Sequence, residues 1–321
     1  MKRFCIAVFF LFTTACTSKE PPKSNLPLSA SIVSSQQYTV QQTITLLNEG
    51  TKEPEKQNLW VALIRDFPPY QKVLSSKVFP TNFTEITDEY GNKYAEFDLS
   101  NHPPQTVWRI EIEYQVTVNE IVYELGNCTG ELPVFFTQPE LHIEAANPQI
   151  ADLAKQLSIL KSSPCEKVRA FYNYAGDELF YSFNQKPWGA QATFGSMGAD
   201  CTEYPSLVIA LSRAQGIPAR YYEGLLYTAD KEEEIAQIEH AWLDAYFPGI
   251  GWVGMDPTMG RWPSYRENYF AHYTPDHIIV TTGRNPSTLR GASYWSHLYW
   301  PGDVTKIRVA NSEWLINKNP K

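Results

Sequence analysis

The sequence predicts an α+β fold in which a β-sandwich precedes a unit of helices followed by strands. Within residues 28–140, the runs YTVQQTITLL (38–47) and VWRIEIEYQVTV (107–118) alternate apolar and polar residues, as half-buried strands do. Turn residues such as NEG and DEYGN separate these runs. Seven or so short strands with such turns favour an N-terminal sandwich of immunoglobulin-like size, which we expect to support the next domain.

The second observation is a change of pattern after Pro139. The runs IADLAKQLSIL (150–160) and CEKVRAFYNYAGDEL (165–179) have the apolar spacing of amphipathic helices, and strand-like runs follow them. Helices first and strands afterwards indicate an α+β domain, which we place at residues 145–310. A chain of 321 residues is long enough for two such domains.

The N-terminus reads as a targeting segment. Two basic residues precede the apolar run FCIAVFFLF (4–12), and Thr-Ala leads into Cys16. This pattern resembles a bacterial lipoprotein signal (1–16), which implies cleavage before Cys16, lipidation of its sulfur and a membrane anchor. A plain secretory signal with an incidental cysteine is the alternative. Residues 17–27 are polar and proline-rich, as in a tether.

The implied location is the bacterial cell envelope. Thr17 follows Cys16, where an Asp would be associated with retention in the inner membrane, so the outer membrane facing the periplasm is favoured. The formal net charge is −8 and no basic stripe is present, which argues against nucleic acid as a partner. After export, Cys128, Cys165 and Cys201 remain. Cys128 and Cys165 are candidates for a disulfide, which their spacing alone leaves open.

Cys201 has the setting of a reactive cysteine. It lies at the start of a predicted helix with an apolar face at Leu207, Val208 and Leu211, and Gly216 ends that helix. The unpaired N–H groups and the positive end of a helix dipole favour a thiolate over a thiol at this place. The same N–H groups are suited to hold an oxyanion during acyl transfer.

His240 and Asp256 lie on two strand-like runs joined by the turn PGIG. If Tyr246 pairs with Trp252, Asp256 comes to the face of His240 and within hydrogen-bonding reach; a shift of one residue puts it on the opposite face. We therefore predict that register, with a five-residue loop at 247–251 or an equivalent bulge. His240 then serves as the base for Cys201, and Asp256 orients the imidazole.

Several runs together resemble the transglutaminase-like superfamily, whose fold is related to that of papain. They are DCTE (200–203), GIPAR (216–220), HAW (240–242), PGIGW (248–252) and DPT (256–258). The resemblance implies Cys201 as nucleophile, His240 as base, Asp256 as orienter, and helices packed on an antiparallel sheet. The calcium sites of the animal enzymes have no counterpart here, so we expect no metal and no cofactor.

Other residues are weaker candidates for roles in the site. Trp188 and Gln191 precede the nucleophile and carry N–H groups suited to an oxyanion hole, although both also suit local packing. Trp242 and Trp252, with Trp262, are candidates for the wall of a substrate groove, and core packing is the alternative. The remaining histidines lack metal-ligand spacing, and we expect exposed or packing roles for them: His272, His277 and His297.

These features predict an exported thiol enzyme that forms an acyl-enzyme at Cys201 from an amide substrate. Water as acceptor makes it a peptidase or amidase, and an amine makes it a protein-glutamine acyltransferase. The expected partners are a protein, peptide or cell-wall peptide substrate, and the membrane through the lipid anchor. The alternative is a non-catalytic envelope binding or assembly lipoprotein that reuses the fold.

Overall fold

A computed structural model describes residues 27, 29–54, 57–183, 188–195, 198–228, 239–284, 287–289, 296–299 and 307–320. The predicted signal segment with Cys16 and nearly all of the predicted tether lie outside the described residues. So does DKEEE (230–234), an acidic run that precedes the strand of His240. No helix among the described residues has the length and apolar character needed to cross a membrane.

The first part of the chain consists of six strands. They are β1 (Ala30–Asn48), β2 (Asn58–Leu63), β3 (Gln71–Phe79), β4 (Thr84–Thr87), β5 (Lys93–Asp98) and β6 (Val107–Tyr123). The two longest, β1 and β6, pair antiparallel along nearly their whole length. Alternation explains why β6 forms: Ile110, Ile112 and Tyr114 are buried, whereas the glutamates between them face outwards.

Three helices and five strands follow. The helices are α1 (Pro148–Leu157), α2 (Pro164–Glu178) and α3 (Glu203–Ala214). The strands are β7 (Ala219–Leu226), β8 (Glu239–Phe247), β9 (Gly251–Met255), β10 (His272–Tyr273) and β11 (His277–Thr282). The predicted helices at 150–160 and 165–179 correspond to α1 and α2, and a Ser163–Glu166 capping box begins α2.

The C-terminal end of the chain returns to the first six strands. Two further strands, β12 (Ser296–Tyr299) and β13 (Ile307–Lys318), pair with β2 and β1 respectively. The sheets have the orders β10-β6-β1-β13, with β3 also beside β6, and β12-β2-β5-β4. The fold is thus strand-rich α+β, and an immunoglobulin-like sandwich made of residues 28–140 is not confirmed, because strands distant in sequence complete both sheets.

The third sheet, with order β11-β7-β8-β9, lies between two hydrophobic cores. Ala241, Leu243 and Ala245 of β8 pack in one core with the three helices. Trp242, on the opposite face of the same strand, belongs to the core of the other two sheets. Period-two alternation along β8 therefore divides its side chains between a helical layer and a β layer.

A buried carboxylate helps to join the third sheet to the β layer. Asp244 is fully buried and accepts hydrogen bonds from the Arg220 guanidinium and from the hydroxyls of Tyr222 and Tyr273, at 2.7 and 2.6 Å. The Arg220 guanidinium packs 3.7 Å from the ring centroid of Trp252. These contacts give the buried charges the partners that they need in an apolar interior.

Cys128 and Cys165 form a disulfide, with 6.0 Å between their Cα atoms. The bond links the segment after β6 to the first turn of α2. Sequence spacing had left this pairing open, and the structure supplies it. Cys201 is then the free cysteine of the described part of the chain.

Candidate active site

The β8–β9 hairpin brings Asp256 to His240. Tyr246 pairs with Trp252, which is the register predicted from the sequence. The pairing continues one step further, to Phe247 and Gly251, so the connection is three residues long rather than five. Because both loop lengths give the same register, Asp256 leaves the end of β9 on the side of His240.

The two side chains are joined by a short hydrogen bond in a buried setting. His240 Nε2 lies 2.7 Å from Asp256 Oδ2, and the residues are 8% and 3% exposed. The other carboxylate oxygen, Oδ1, accepts the backbone N–H groups of Thr258 and Met259 at 2.8 and 3.0 Å. One oxygen therefore fixes the carboxylate to the chain while the other orients the imidazole.

Cys201 lies two residues before the start of α3 and contacts His240 through its thiol. Because His240 Nε2 is engaged by Asp256, Nδ1 is the nitrogen that faces the sulfur. The turn that presents Cys201 is held from both sides: Thr202 N–H donates to Asp200 Oδ1 at 2.8 Å, and Asp200 N–H donates to Glu203 Oε2 at 3.0 Å. The cysteine is partly exposed, as a nucleophile has to be.

The electrostatics of the site favour a charged imidazole. Burial by itself would lower the pKa of His240, but the Asp256 carboxylate and the contact with Cys201 raise it to about 9. Burial likewise opposes ionisation of Asp256, yet His240 and His277 hold the pKa of this carboxyl well below its usual range. At neutral pH the arrangement therefore stabilises an imidazolium between the Asp256 carboxylate and the Cys201 sulfur.

Sequence reasoning missed His277, for which it expected an exposed or packing role. This residue is 2% exposed, and its Nε2 lies 3.1 Å from Asp256 Oδ2, the oxygen that also binds His240. Its Nδ1 lies 2.8 Å from Asp276 Oδ1 and 2.6 Å from Thr274 Oγ1. The position depends on how β11 pairs with β7, where a bulge between Ile279 and Thr281 shifts the register, and no local spacing in the sequence signals it.

Cys201 and His240 open into a cavity of about 450 Å³. Its lining includes the aromatic side chains of Tyr181, Phe183 and Trp188, and the acidic side chains of Glu223 and Glu239. The cavity is open to solvent and crosses the ends of several elements, which suits an extended substrate better than a small enclosed one.

The structure separates the two oxyanion candidates. Trp188 lines the cavity with Cys201 and is 38% exposed. Gln191 begins a short 3₁₀ helix, its backbone N–H donates to Glu144 Oε2 at 3.1 Å, and it is absent from the cavity lining. The backbone of Gln191 is therefore already occupied on another side of the loop.

The two tryptophans expected in a groove wall take other positions. Trp242 is 2% exposed, and its ring stacks against the His240 ring with centroids 6.0 Å apart. Trp252 packs against Arg220 and the ring of Phe136, and neither tryptophan lines the cavity. The groove prediction was wrong for both, because the faces of β8 and β9 that carry them are covered by other parts of the chain. Trp262 is 58% exposed and likewise does not line the cavity.

One compact group in the described part of the chain has the residue types of a metal site: His240, Asp256 and His277, with ligand atoms within 4.8 Å of one another. Both Nε2 atoms donate to the same carboxylate oxygen, so neither presents a lone pair to a metal in this arrangement. A bound ion would have to displace both hydrogen bonds. The group fits proton positioning rather than metal ligation.

Comparisons with known proteins agree with this geometry. Residues 151–257 match the model of the transglutaminase-like superfamily. A Bacillus subtilis protein described as uncharacterized protein YebA is 26% identical over 173 residues, which cover 46% of this chain and 23% of that protein. A protein-glutamine gamma-glutamyltransferase of Pseudomonas aeruginosa is 30% identical over 122 residues, which cover 35% of this chain and 18% of that protein. The chain thus spans about a fifth of the length of these two relatives.

A solved structure shares the fold over most of the chain. It is described as "a Putative Cysteine Protease from Cytophaga hutchinsonii", and it superposes with a TM-score of 0.65 at 15% identity. The match covers 91% of this chain and 93% of that one. At this level of identity the comparison concerns the fold alone, and it includes the strand-rich part as well as the part that carries Cys201.

Proposed function

We propose, proceeding from the transglutaminase-like domain at residues 151–257, that this protein is a cysteine-dependent enzyme acting on amide bonds through an acyl-enzyme at Cys201. The observation that carries the proposal is the position of His240 between the Cys201 thiol and the buried Asp256 carboxylate. Nucleophile, base and orienter in hydrogen-bonding contact are what thiol acyl transfer requires.

The roles follow from the contacts. His240 takes the thiol proton, and the Cys201 sulfur attacks the carbonyl carbon of the substrate amide. The negative oxygen that develops lies near the N-terminal end of α3, whose dipole favours negative charge, and Trp188, which lines the cavity, is a candidate donor to it. His240 then gives its proton to the departing amine, which leaves a thioester on Cys201.

The acceptor of the acyl group decides the type of enzyme. Water regenerates Cys201 and releases an acid, which is hydrolysis, whereas a primary amine forms a new amide. The similar proteins include both a putative cysteine protease and a protein-glutamine gamma-glutamyltransferase. We favour hydrolysis of a peptide or cell-wall peptide, because the cavity is open and water reaches a thioester there unless a substrate excludes it.

Mass spectrometry of the intact protein tests the proposal. The full-length protein is incubated with a glutamine-containing peptide or a cell-wall stem peptide, with and without a primary amine. We expect an acyl adduct on Cys201 and a product carrying either a carboxylate or the amine, and neither in Cys201→Ala. His240→Ala should form the adduct at least about 100-fold more slowly, as expected of a lost general base. Absence of adduct and product from the whole panel would favour the envelope binding factor instead.

We further propose that the protein is exported and anchored by lipid on Cys16, on the outer membrane facing the periplasm. The lipoprotein-like segment ending at Cys16 supports this, and the Cys128–Cys165 disulfide is a bond typical of oxidising compartments. The mature N-terminal peptide should carry a diacylglycerol group, and Cys16→Ala should release the protein from the membrane fraction. An unmodified N-terminus in membrane-bound protein would contradict the anchor.

A further inference from the structure

We propose that His277 is a positioning residue of the Cys201–His240–Asp256 site, holding Asp256 against His240 through a hydrogen bond and through its positive charge. The proposal rests on the proposed function, because a positioning role has meaning only for a working Cys201–His240 pair. His277 is separate from the three residues that the chemistry uses directly, and it reaches the reacting atoms only through Asp256.

The first support is the geometry around Asp256 Oδ2. This one oxygen accepts from His240 Nε2 at 2.7 Å and from His277 Nε2 at 3.1 Å. With Thr258 and Met259 bound to Oδ1, the carboxylate has four donors and no freedom to rotate. Without His277, His240 would be the only described partner of Oδ2, although Oδ2 is the atom that orients His240.

The second support is the fixed orientation of His277 itself. Its Nδ1 faces Asp276 Oδ1 and Thr274 Oγ1, which directs Nε2 towards Asp256. The Trp242 ring packs against it at 4.8 Å between centroids, and the same indole stacks on His240. One buried indole therefore contacts both imidazoles.

The third support is the alternation of charge along the buried group. Asp276, His277, Asp256, His240 and Cys201 follow one another in contact, with acidic and basic groups in turn. Burial opposes protonation of His277, but Asp276 and Asp256 raise its pKa to about 9, so it is an imidazolium at neutral pH. A positive charge at this place offsets part of the negative charge of Asp256 and so favours the thiolate on Cys201.

The other titratable groups that face His277 do not change charge near neutral pH. Tyr269 lies 6.4 Å away between ring centroids, and burial raises its pKa to about 12. Tyr70, from the β layer, donates to the His277 carbonyl oxygen at 2.7 Å, and burial raises its pKa well above the usual range. His240, with its ring 5.4 Å away, is thus the group whose titration His277 influences.

Two substitutions separate the charge from the hydrogen bond. His277→Gln keeps an N–H donor near the Nε2 position and removes the charge, whereas His277→Leu removes both. His272→Gln is the matched control, because His272 is also bound to a carboxylate, but its partners are Glu120 and the Asn268 carbonyl oxygen rather than residues of the site. The full-length proteins are alkylated with iodoacetamide across the pH range, and the Cys201 peptide is quantified by mass spectrometry.

We expect the alkylation profile of both His277 variants to move to higher pH, by up to about one unit, because a positive charge that offsets Asp256 is lost. The His272→Gln profile should match that of the wild type. Turnover gives the positioning readout: kcat should fall about tenfold or more in His277→Leu with KM little changed, and His277→Gln should restore most of it.

A wild-type alkylation profile in His277→Gln would overturn the proposal, whatever the protein does with substrates. Alkylation needs no substrate, so it distinguishes this failure from failure of the proposed function. If no substrate is turned over but the profile still shifts in the His277 variants, His277 tunes the Cys201–His240 pair and the acyl-transfer proposal alone is lost.

Discussion

Replacement of Asp256 by asparagine should destabilise the protein by an amount that depends on pH. In Asp256→Asn the amide oxygen can still accept the backbone N–H groups of Thr258 and Met259. The amide nitrogen then takes the place of Oδ2 and points its hydrogens at two imidazole N–H groups. Two hydrogen bonds to a buried charge are lost, His240 loses its counter-ion, and His277 keeps only Asp276 as a counter-ion.

The structure gives both the size and the sign of the effect. Each hydrogen bond to a charged group contributes about 1.5–3 kcal/mol, so the loss of unfolding free energy near neutral pH should be about 4 kcal/mol. Removal of one partner of a buried ion pair has a similar effect. The pKa values of His240 and His277 are raised to about 9 from about 6.5. Their contribution to stability is therefore fully present below about pH 6.5 and is lost as the pH rises through about 9.

The wild type should consequently lose stability between about pH 6.5 and 9.5, whereas Asp256→Asn should lose less, because only His277 keeps a carboxylate partner there. The difference between the two proteins should therefore shrink to about 1–2 kcal/mol. Urea denaturation at several pH values measures this. Asp244→Asn is the control: its partners Arg220, Tyr222 and Tyr273 keep their charge over this range, because Asp244 raises the pKa of Arg220 against the effect of burial, and burial raises those of the tyrosines. A pH-independent cost for Asp256→Asn would refute the reasoning.

Two other predictions concern the framework of the site. The Cys128–Cys165 bond closes a loop with a sequence separation of 37, so the double serine variant should lose about 4 kcal/mol of unfolding free energy in urea denaturation; an unchanged midpoint would contradict the bond. A Cβ on Gly224 would overlap the Ile278 carbonyl oxygen and come within 2.5 Å of the Trp242 ring, so Gly224→Ala should cost about 3 kcal/mol and reduce Cys201 reactivity. Gly126→Ala, which meets open space, should be neutral in the same assays.

Local patterns predicted the parts of the fold that depend on neighbouring residues. Apolar spacing located α1 and α2 to within a few residues, because amphipathic periodicity and the Pro164 start signal are encoded within each segment. The register of β8 and β9 was also predicted from the alternation of side chains between the two faces of a strand, since a one-residue shift would have turned Asp256 away from His240. The contact between these two side chains could therefore be predicted, because it depends only on a short hairpin whose two strands are close in sequence.

Long-range pairing explains what the sequence did not reveal. Strand β13 pairs with β1 across more than 250 residues, and nothing within either run identifies the other as its partner. The position of His277 depends in the same way on the pairing of β11 with β7. The alternation along the strand placed Trp242 on the same face as His240. Only the structure shows that the β layer packs on that face and buries the indole.

The most direct test of the central claim is the protonation state of His240. Nuclear magnetic resonance of the full-length protein with isotopically labelled histidine, assigned with His240→Ala, gives its titration curve. An imidazolium paired with Cys201 and Asp256 should persist up to about pH 9, and Cys201→Ser should lower its pKa because the sulfur no longer shares the proton. Titration at or below about pH 6.5, unchanged by Cys201→Ser, would contradict a nucleophile prepared by His240.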